Sequence, residues 1–118
     1  MRPYDPQAHD QAAAHRAASV FLEKLRGQYA VTQAFMFGSR ARGEHRPDSD
    51  LDLAIVLHGP RLDFFDTKQD MAGLAFDVLM ETGILVQPFP LWDDDLTNPA
   101  RFSNPSLIRN IVEDGIMV

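Results

Sequence analysis

Apolar positions recur along this chain in two periods, and the change from one to the other divides it into elements. From residue 5 to residue 28 the period is helical, with Ala13, Ala17, Val20, Phe21 and Leu25 on one stripe, the spacing of a helix with one buried face. Asp5 stands as its N-cap, Pro6 at its first helical position and Gly27 at its stop. The Ala-rich stretch over Ala12, Ala13, Ala14, Ala17 and Ala18 needs only helix propensity to explain it. The run Ala34-Phe35-Met36-Phe37, led in by Val31 and Thr32 and halted by Gly38-Ser39, predicts a buried strand that runs into a turn. A polar stretch follows, from Ser39 to Ser49.

The period then becomes two. Leu51, Leu53, Ile55 and Leu57 alternate with Asp50, Asp52, Ala54 and Val56, predicting a second strand over 50–57 whose start is charged and whose end is apolar. Past His58-Gly59-Pro60, Asp63 is placed to cap a helix that runs to Thr82, stops at Gly83 and buries Phe64, Phe65, Met71, Leu74, Ala75, Val78 and Leu79. Ile84-Leu85-Val86 begins a third strand through Leu91. Pro88 and Pro90 lack amide protons, so that strand belongs at a sheet edge or pairs on one side only. Asn104 and Pro105 open a last helix with apolar Leu107, Ile108, Ile111 and Val112, ended by Gly115. The order helix, strand, strand, helix, strand, helix predicts an α/β (α+β) fold with helices packed on a three- to four-stranded mixed sheet.

At 118 residues the chain fits a single domain over 1–118, long enough to bury a core without disulfides or structural metal. There is no cysteine, which excludes thiolate zinc sites and cysteine nucleophiles. No apolar run approaches a membrane span, and the start lacks a signal-peptide core, so the expectation is a soluble, cytoplasmic protein with no membrane role. Charge adds more. Residues 1–62 hold 8 basic and 7 acidic side chains, a net of +1, whereas residues 63–118 hold 3 and 10, a net of −7. The overall net of −6 argues against direct nucleic-acid binding, and the acidic second half suits a basic partner.

The chemistry concentrates in Phe37 to Leu53, FGSRARGEHRPDSDLDL. A backbone without a Cβ at Gly38 and a short hydroxyl at Ser39 let an anion approach closely. Any helical turn opening at Ser39 would add free amides and its positive dipole end. Arg40 supplies planar paired donors suited to phosphate oxygens. Arg42 and Arg46 are open between a phosphate and an ion pair with Glu44 or Asp48. Farther on, Asp50 and Asp52, two apart on a strand, point to one face with Cα atoms roughly 6.5–7 Å apart. Two such carboxylates repel unless counter-charged. Mg²⁺ supplies that charge, since it takes hard oxygen ligands from one or two carboxylates together with substrate phosphates. A phosphate-gripping turn beside a metal-gripping strand describes a nucleoside triphosphate site. His9 and His15, six apart on a helix, lack a one-face ligand spacing; His45, in the loop between the motif halves, is open between reaching a nucleotide and standing solvated, with the solvated reading preferred, and His58 reads as a surface residue. Asp93-Asp94-Asp95 reads as an acidic turn capping a short helix.

The segment Gly38-Ser39-Arg40-Ala41-Arg42-Gly43, followed by Ser49-Asp50-Leu51-Asp52-Leu53, resembles the signature of the nucleotidyltransferase superfamily related to DNA polymerase beta. It is most similar to the minimal nucleotidyltransferases, which are also short. That resemblance implies the nucleotidyltransferase fold and metal-dependent transfer of a nucleoside monophosphate, AMP from ATP, to an acceptor hydroxyl. Gly38, Ser39, Arg40 and Arg42 would bind the nucleotide, and Asp50 and Asp52 would be the metal-binding and catalytic residues. Many minimal members are antitoxins of HEPN-type toxins, so the resemblance also implies a toxin protein as partner.

One position departs from the family pattern. Active relatives carry a third aspartate on the third strand, and Leu85-Val86-Gln87-Pro88-Phe89 aligns Gln87 there. An amide ligates weakly and cannot serve as a base. Asp77 and Glu81 on the preceding helix, or Asp93, Asp94 and Asp95 after the strand, are the carboxylates that could substitute. Two functions therefore stand open: a transferase acting on a partner protein, or a catalytically inactive antitoxin that neutralises a toxin by binding.

Overall fold

A computed structural model of the chain describes residues 12–38, 41, 50–102 and 104–118. The N-terminal start of the first expected helix, with Asp5 and Pro6, lies outside these residues. Within them the first helix, α1, spans Ala12–Arg26, and a tight turn brings the amides of Gln28 and Tyr29 onto the Leu25 carbonyl. Its buried stripe is Ala14, Ala17, Ala18, Phe21, Leu22 and Leu25, whereas Ala13 is exposed. The stripe is rotated by about one residue from the sequence reading, because alanines on neighbouring positions leave the helix phase undetermined until it packs.

Strand β1 covers Val31–Phe37 and β2 covers Leu51–Leu57. They pair antiparallel, with Phe37 opposite Asp52 and Phe35 opposite Ala54. Helix α2 spans Phe64–Thr82; the Asp63 carboxylate accepts from the Asp66 amide at its start, and Gly83 ends it in the left-handed conformation at φ 79°. Both ends are where the sequence put them, since each depends on a local side chain or backbone freedom. Strand β3, Val86–Trp92, begins two residues later than Ile84. It lies parallel to β2, with Asp52 beside Gln87 and Ala54 beside Phe89. The expected edge position holds, since the strand order is β3-β2-β1-β4.

After β3 comes a short helix, α3, over Asp93–Thr97, then a 3₁₀ turn at Pro99–Arg101 and helix α4 over Pro105–Asp114. Asn104 caps α4 by accepting from the Leu107 amide at 3.3 Å. Ile116–Met117 forms β4, which pairs antiparallel with Phe35 and Met36 of β1. Two residues are too few to show an alternating pattern, so this fourth strand was not legible on its own.

The sheet is buried on both faces. Leu51, Leu53, Ile55 and Leu57 pack with α1 and α2 in the larger core. Ala54 and Val56 pack on the other face with Phe35, Leu91, Ile108 and Ile111. Phe65, expected in the core of α2, is instead 77% exposed, and Thr67 takes a buried position. Thr67 can do so because its hydroxyl donates to the Asp63 carbonyl at 2.7 Å, which satisfies the polar group. Among the described residues, no helix is long and apolar enough to cross a membrane.

Tyr29, at the turn after α1, donates its hydroxyl to the Asp70 carboxylate on α2. Burial first, and then the Asp70 hydrogen bond and charge, push the Tyr29 phenol up to about 12 from 10.0. The protonated phenol is thus favoured by the fold. Its contribution is complete below pH 10 and lost as pH rises toward 12. Urea unfolding between pH 9 and pH 12 is expected to show this loss in the natural chain and not in Tyr29→Phe. Parallel pH profiles for the two would overturn it.

Candidate active site

Three strand ends meet at one end of the sheet: the C-terminal end of β1 and the N-terminal ends of β2 and β3. Gly38 leaves β1 at φ 75°, and a Cβ there would collide with the Asp52 carboxylate. Glycine is therefore required twice, by a positive φ that side chains disfavour and by the closeness of that carboxylate. Ala41 is 2% exposed and packs in the larger core. Ser39, Arg40 and Arg42, together with Arg46 and His45, lie outside the described residues.

Asp52 sits between its antiparallel neighbour Phe37 and its parallel neighbour Gln87. It is half-buried, and Asp50, exposed, is the residue before β2, which begins at Leu51 rather than at Asp50 as the sequence predicts. The Gln87 amide nitrogen donates to Asp50 Oδ2 at 3.1 Å. The structure therefore brings Gly38, Asp50, Asp52 and Gln87 together, from three segments separated by up to 49 positions. Gln87 pairs laterally with Asp52 across the parallel β2–β3 ladder.

None of the alternative carboxylates reaches this end of the face that carries Asp52. Asp93, Asp94 and Asp95 follow Trp92, at the opposite end of β3, about 20 Å of strand away. Asp77 and Glu81 belong to α2, which packs against the other face, and Glu81 is held by Lys24 at 2.7 Å. Among the described residues no group of three or more His, Asp or Glu is gathered for a metal. Asp50 and Asp52 remain as a two-carboxylate donor set, hard oxygens that are solvent-accessible. Such a set fits a divalent cation that completes its shell with phosphate oxygens and water.

Beyond the carboxylates the same face becomes aromatic. Phe37 and Phe89 meet edge to face at 6.4 Å, and Phe89 meets Phe64 at 5.2 Å and Phe102 at 5.9 Å. Lys68 lies 5.7 Å from the Phe89 ring and 6.0 Å from Phe64. A cleft of about 360 Å³ opens here, lined by Arg61, Phe64, Phe65, Phe89, Phe102 and Leu107, with Asn104 at its edge.

At its far end lies a cluster that sequence reasoning missed in part. Asp93-Asp94-Asp95 does open a short helix, as expected. The buried Asp95 carboxylate accepts the Trp92 amide at 2.9 Å and two Arg61 hydrogen bonds at 2.7 and 3.1 Å. Arg61 also reaches Asp94 at 3.1 Å and stacks 5.0 Å from the Trp92 ring. Its guanidinium is held above its ordinary range, by the Asp95 hydrogen bond first. Arg61 sits in a loop with no motif around it, so only folding could reveal that partner. His58 is a surface residue, as expected, paired with Asp93 at 2.9 Å.

A family model for the nucleotidyltransferase domain matches residues 18–118. A sequence comparison with curated proteins gives no match. Among solved structures, the chain is similar to a candidate nucleotidyltransferase from Sulfolobus solfataricus. The identity is 21% and the TM-score 0.59, over 92% of this chain and 81% of that one. It is also similar to a toxin-antitoxin crystallised with AMP-PNP, at 20% identity and TM-score 0.59, covering 84% of this chain and 69% of the other. A third likeness is to a tyrosine-to-alanine mutant of the toxin-antitoxin MntA-HpeT, at 19% identity and TM-score 0.57, over 86% and 70% of the two chains.

Proposed function

The chain belongs to the nucleotidyltransferase domain family, and from that premise we propose that it binds ATP with Mg²⁺ and transfers AMP to a hydroxyl of a partner protein, as the antitoxin of a HEPN-type toxin. The observation that carries this reading is the closeness of Gly38 to the Asp52 carboxylate, with Asp50 two residues before it and held by the Gln87 amide. A residue with no side chain beside the Asp52 carboxylate lets a phosphate approach the backbone and the metal ligands together. Asp50 and Asp52 are the residues that would hold the ion, which when bound offsets the negative charge of the triphosphate. Gly38 and Ser39 would position the phosphates, and Arg40 and Arg42 would add donors to their oxygens. In the reaction the acceptor oxygen bonds to the α-phosphorus and the bond to the β-phosphate breaks. Pyrophosphate leaves, and the hydroxyl proton passes to solvent or to one of the two carboxylates. The likeness to toxin-antitoxin structures, one holding an ATP analogue, supports this choice of nucleotide and partner.

A second reading rests on Gln87. Its amide occupies the place beside Asp52 and donates to Asp50, so no base stands there, and the protein would neutralise its toxin by binding alone. Labelled ATP, incubated with this chain and the product of the adjacent reading frame, separates the two. Label on the partner supports transfer, whereas a stable complex without label supports the binder. Neither label nor complex would overturn both. If transfer occurs, Gln87→Asp is expected to raise its rate on the order of 10²-fold by restoring a base. An unchanged rate would mean that position 87 does not face the acceptor.

A further inference from the structure

Helix α2 carries on its outer surface a row of apolar side chains that the core does not use. Phe65 is 77% exposed, Phe76 59% and Met80 70%. With Ala72, also exposed, they recur at steps of seven, four and four. That spacing places them on one stripe of the helix. Phe76 and Met80 stand one turn apart and Phe65 three turns before Phe76, with exposed Gln69, Ala72 and Gly73 between them; large apolar side chains exposed on one helix face mark an interaction surface. At its N-terminal end the row runs into the aromatic cleft, because Phe65 belongs to both.

One flank of this row is acidic, with Lys24 of α1 paired to Glu81 at its C-terminal end. Asp66, Asp77 and Glu81 each follow a stripe residue by one position, and Asp70, which accepts from the Tyr29 hydroxyl, lies on the same flank one turn beyond Asp66; all four are exposed. Lys68 lies instead toward the cleft, over the rings of Phe64 and Phe89. A second copy of this chain is a poor occupant. Two α2 helices crossing antiparallel about a two-fold axis would set the acidic row of one against the same row of the other, and like charges at contact oppose association.

We propose that the outer face of α2 is a docking site for an amphipathic helix of another protein, apolar along its contact stripe and lined by lysine or arginine on the flank that meets Asp66, Asp70, Asp77 and Glu81. One large apolar side chain of that helix would anchor in the cleft beside Phe65, Phe89 and Phe102, and the acidic row would set its orientation. This specifies the surface used by the partner of the preceding section and rests on there being such a partner, but the face can be tested without it.

The probe is a pair of synthetic helical peptides about five turns long, sharing a leucine stripe, one flanked by lysine and the other by glutamate. Fluorescence anisotropy with the whole chain is expected to show binding of the lysine peptide, at least about tenfold tighter than the glutamate peptide. Phe76→Glu and Met80→Glu should each weaken it by about tenfold or more. Both positions are exposed, so circular dichroism and the urea midpoint should stay as in the natural chain. Asp77→Lys should narrow the gap between the peptides from both sides. Equal binding of the two peptides, or binding indifferent to Phe76→Glu and Met80→Glu, would overturn the proposal. So would a dimer of this chain in sedimentation that Phe76→Glu dissolves. The labelling experiment decides separately whether the partner is a toxin. A toxin complex that survives Phe76→Glu and Met80→Glu would overturn only the docking face, whereas absence of any toxin complex beside selective peptide binding would overturn only the toxin reading.

Discussion

Replacing Asp50 and Asp52 together by alanine is expected to abolish Mg²⁺-dependent ATP binding, a loss of about 100-fold or more in affinity by calorimetry. Each carboxylate offers oxygen ligands and a full negative charge to an ion that also touches the phosphates. With both gone, the ion has only water and the triphosphate itself. Neither residue is in a core: Asp50 is exposed and Asp52 half-buried. The fold should therefore survive, and removing two like charges about 6.5–7 Å apart should leave the urea midpoint unchanged or slightly higher. Gln87 would lose its acceptor, but it is exposed and water can replace Asp50. ATP binding that persists at its natural strength, with the midpoint also unchanged, would show that the nucleotide binds elsewhere.

The largest effect on stability is expected from Asp95→Ala, about 2–4 kcal/mol, read as a fall in the urea midpoint on the order of 1–2 M. The Asp95 side chain is 3% exposed while Arg61 is 45% exposed, so the two sides of the pair respond differently. Removing the carboxylate strands the buried Trp92 amide and leaves Arg61 with Asp94 at its more exposed end. Arg61→Met keeps much of the packing on Trp92 but leaves a buried carboxylate with the Trp92 amide as its remaining partner. Asp95→Asn preserves an acceptor for that amide and should cost less than Asp95→Ala. Equal midpoints for the natural chain and Asp95→Ala would show that the Arg61–Asp95 pair carries no net stability. Because the cluster lies at the end of β3 away from Asp50 and Asp52, ATP binding should be unaffected below the unfolding transition.

Much of this molecule was legible before folding. The two ends of α2 rest on Asp63 and Gly83, and the start of α4 rests on Asn104 and Pro105. Those are local devices, readable one residue at a time. The edge position of β3 followed from Pro88 and Pro90, which cannot donate to a second neighbour. Phe65 shows where local reading stops. It is as apolar as its neighbour Phe64 and one position away, but the helix turns through 100° between them, and which of the two faces the sheet depends on how α2 docks. Ala13 and Ala14 differ for the same reason.

The site divides in the same way. Sequence alone determined which residue types are present and at what spacing: a glycine-serine turn, two carboxylates of one phase, and a glutamine where a third acid is expected. Those are properties of the chain's order, and strand periodicity carries them directly into space. Tertiary structure decided which distant segments share the sheet end. It set Gly38 against Asp52, placed Gln87 beside both aspartates, sent Asp93, Asp94 and Asp95 to the far end, and left Phe65, Phe76 and Met80 facing outward. These outcomes depend on strand order, register and helix docking, which are settled by burial summed over the whole chain rather than by any one residue's neighbours.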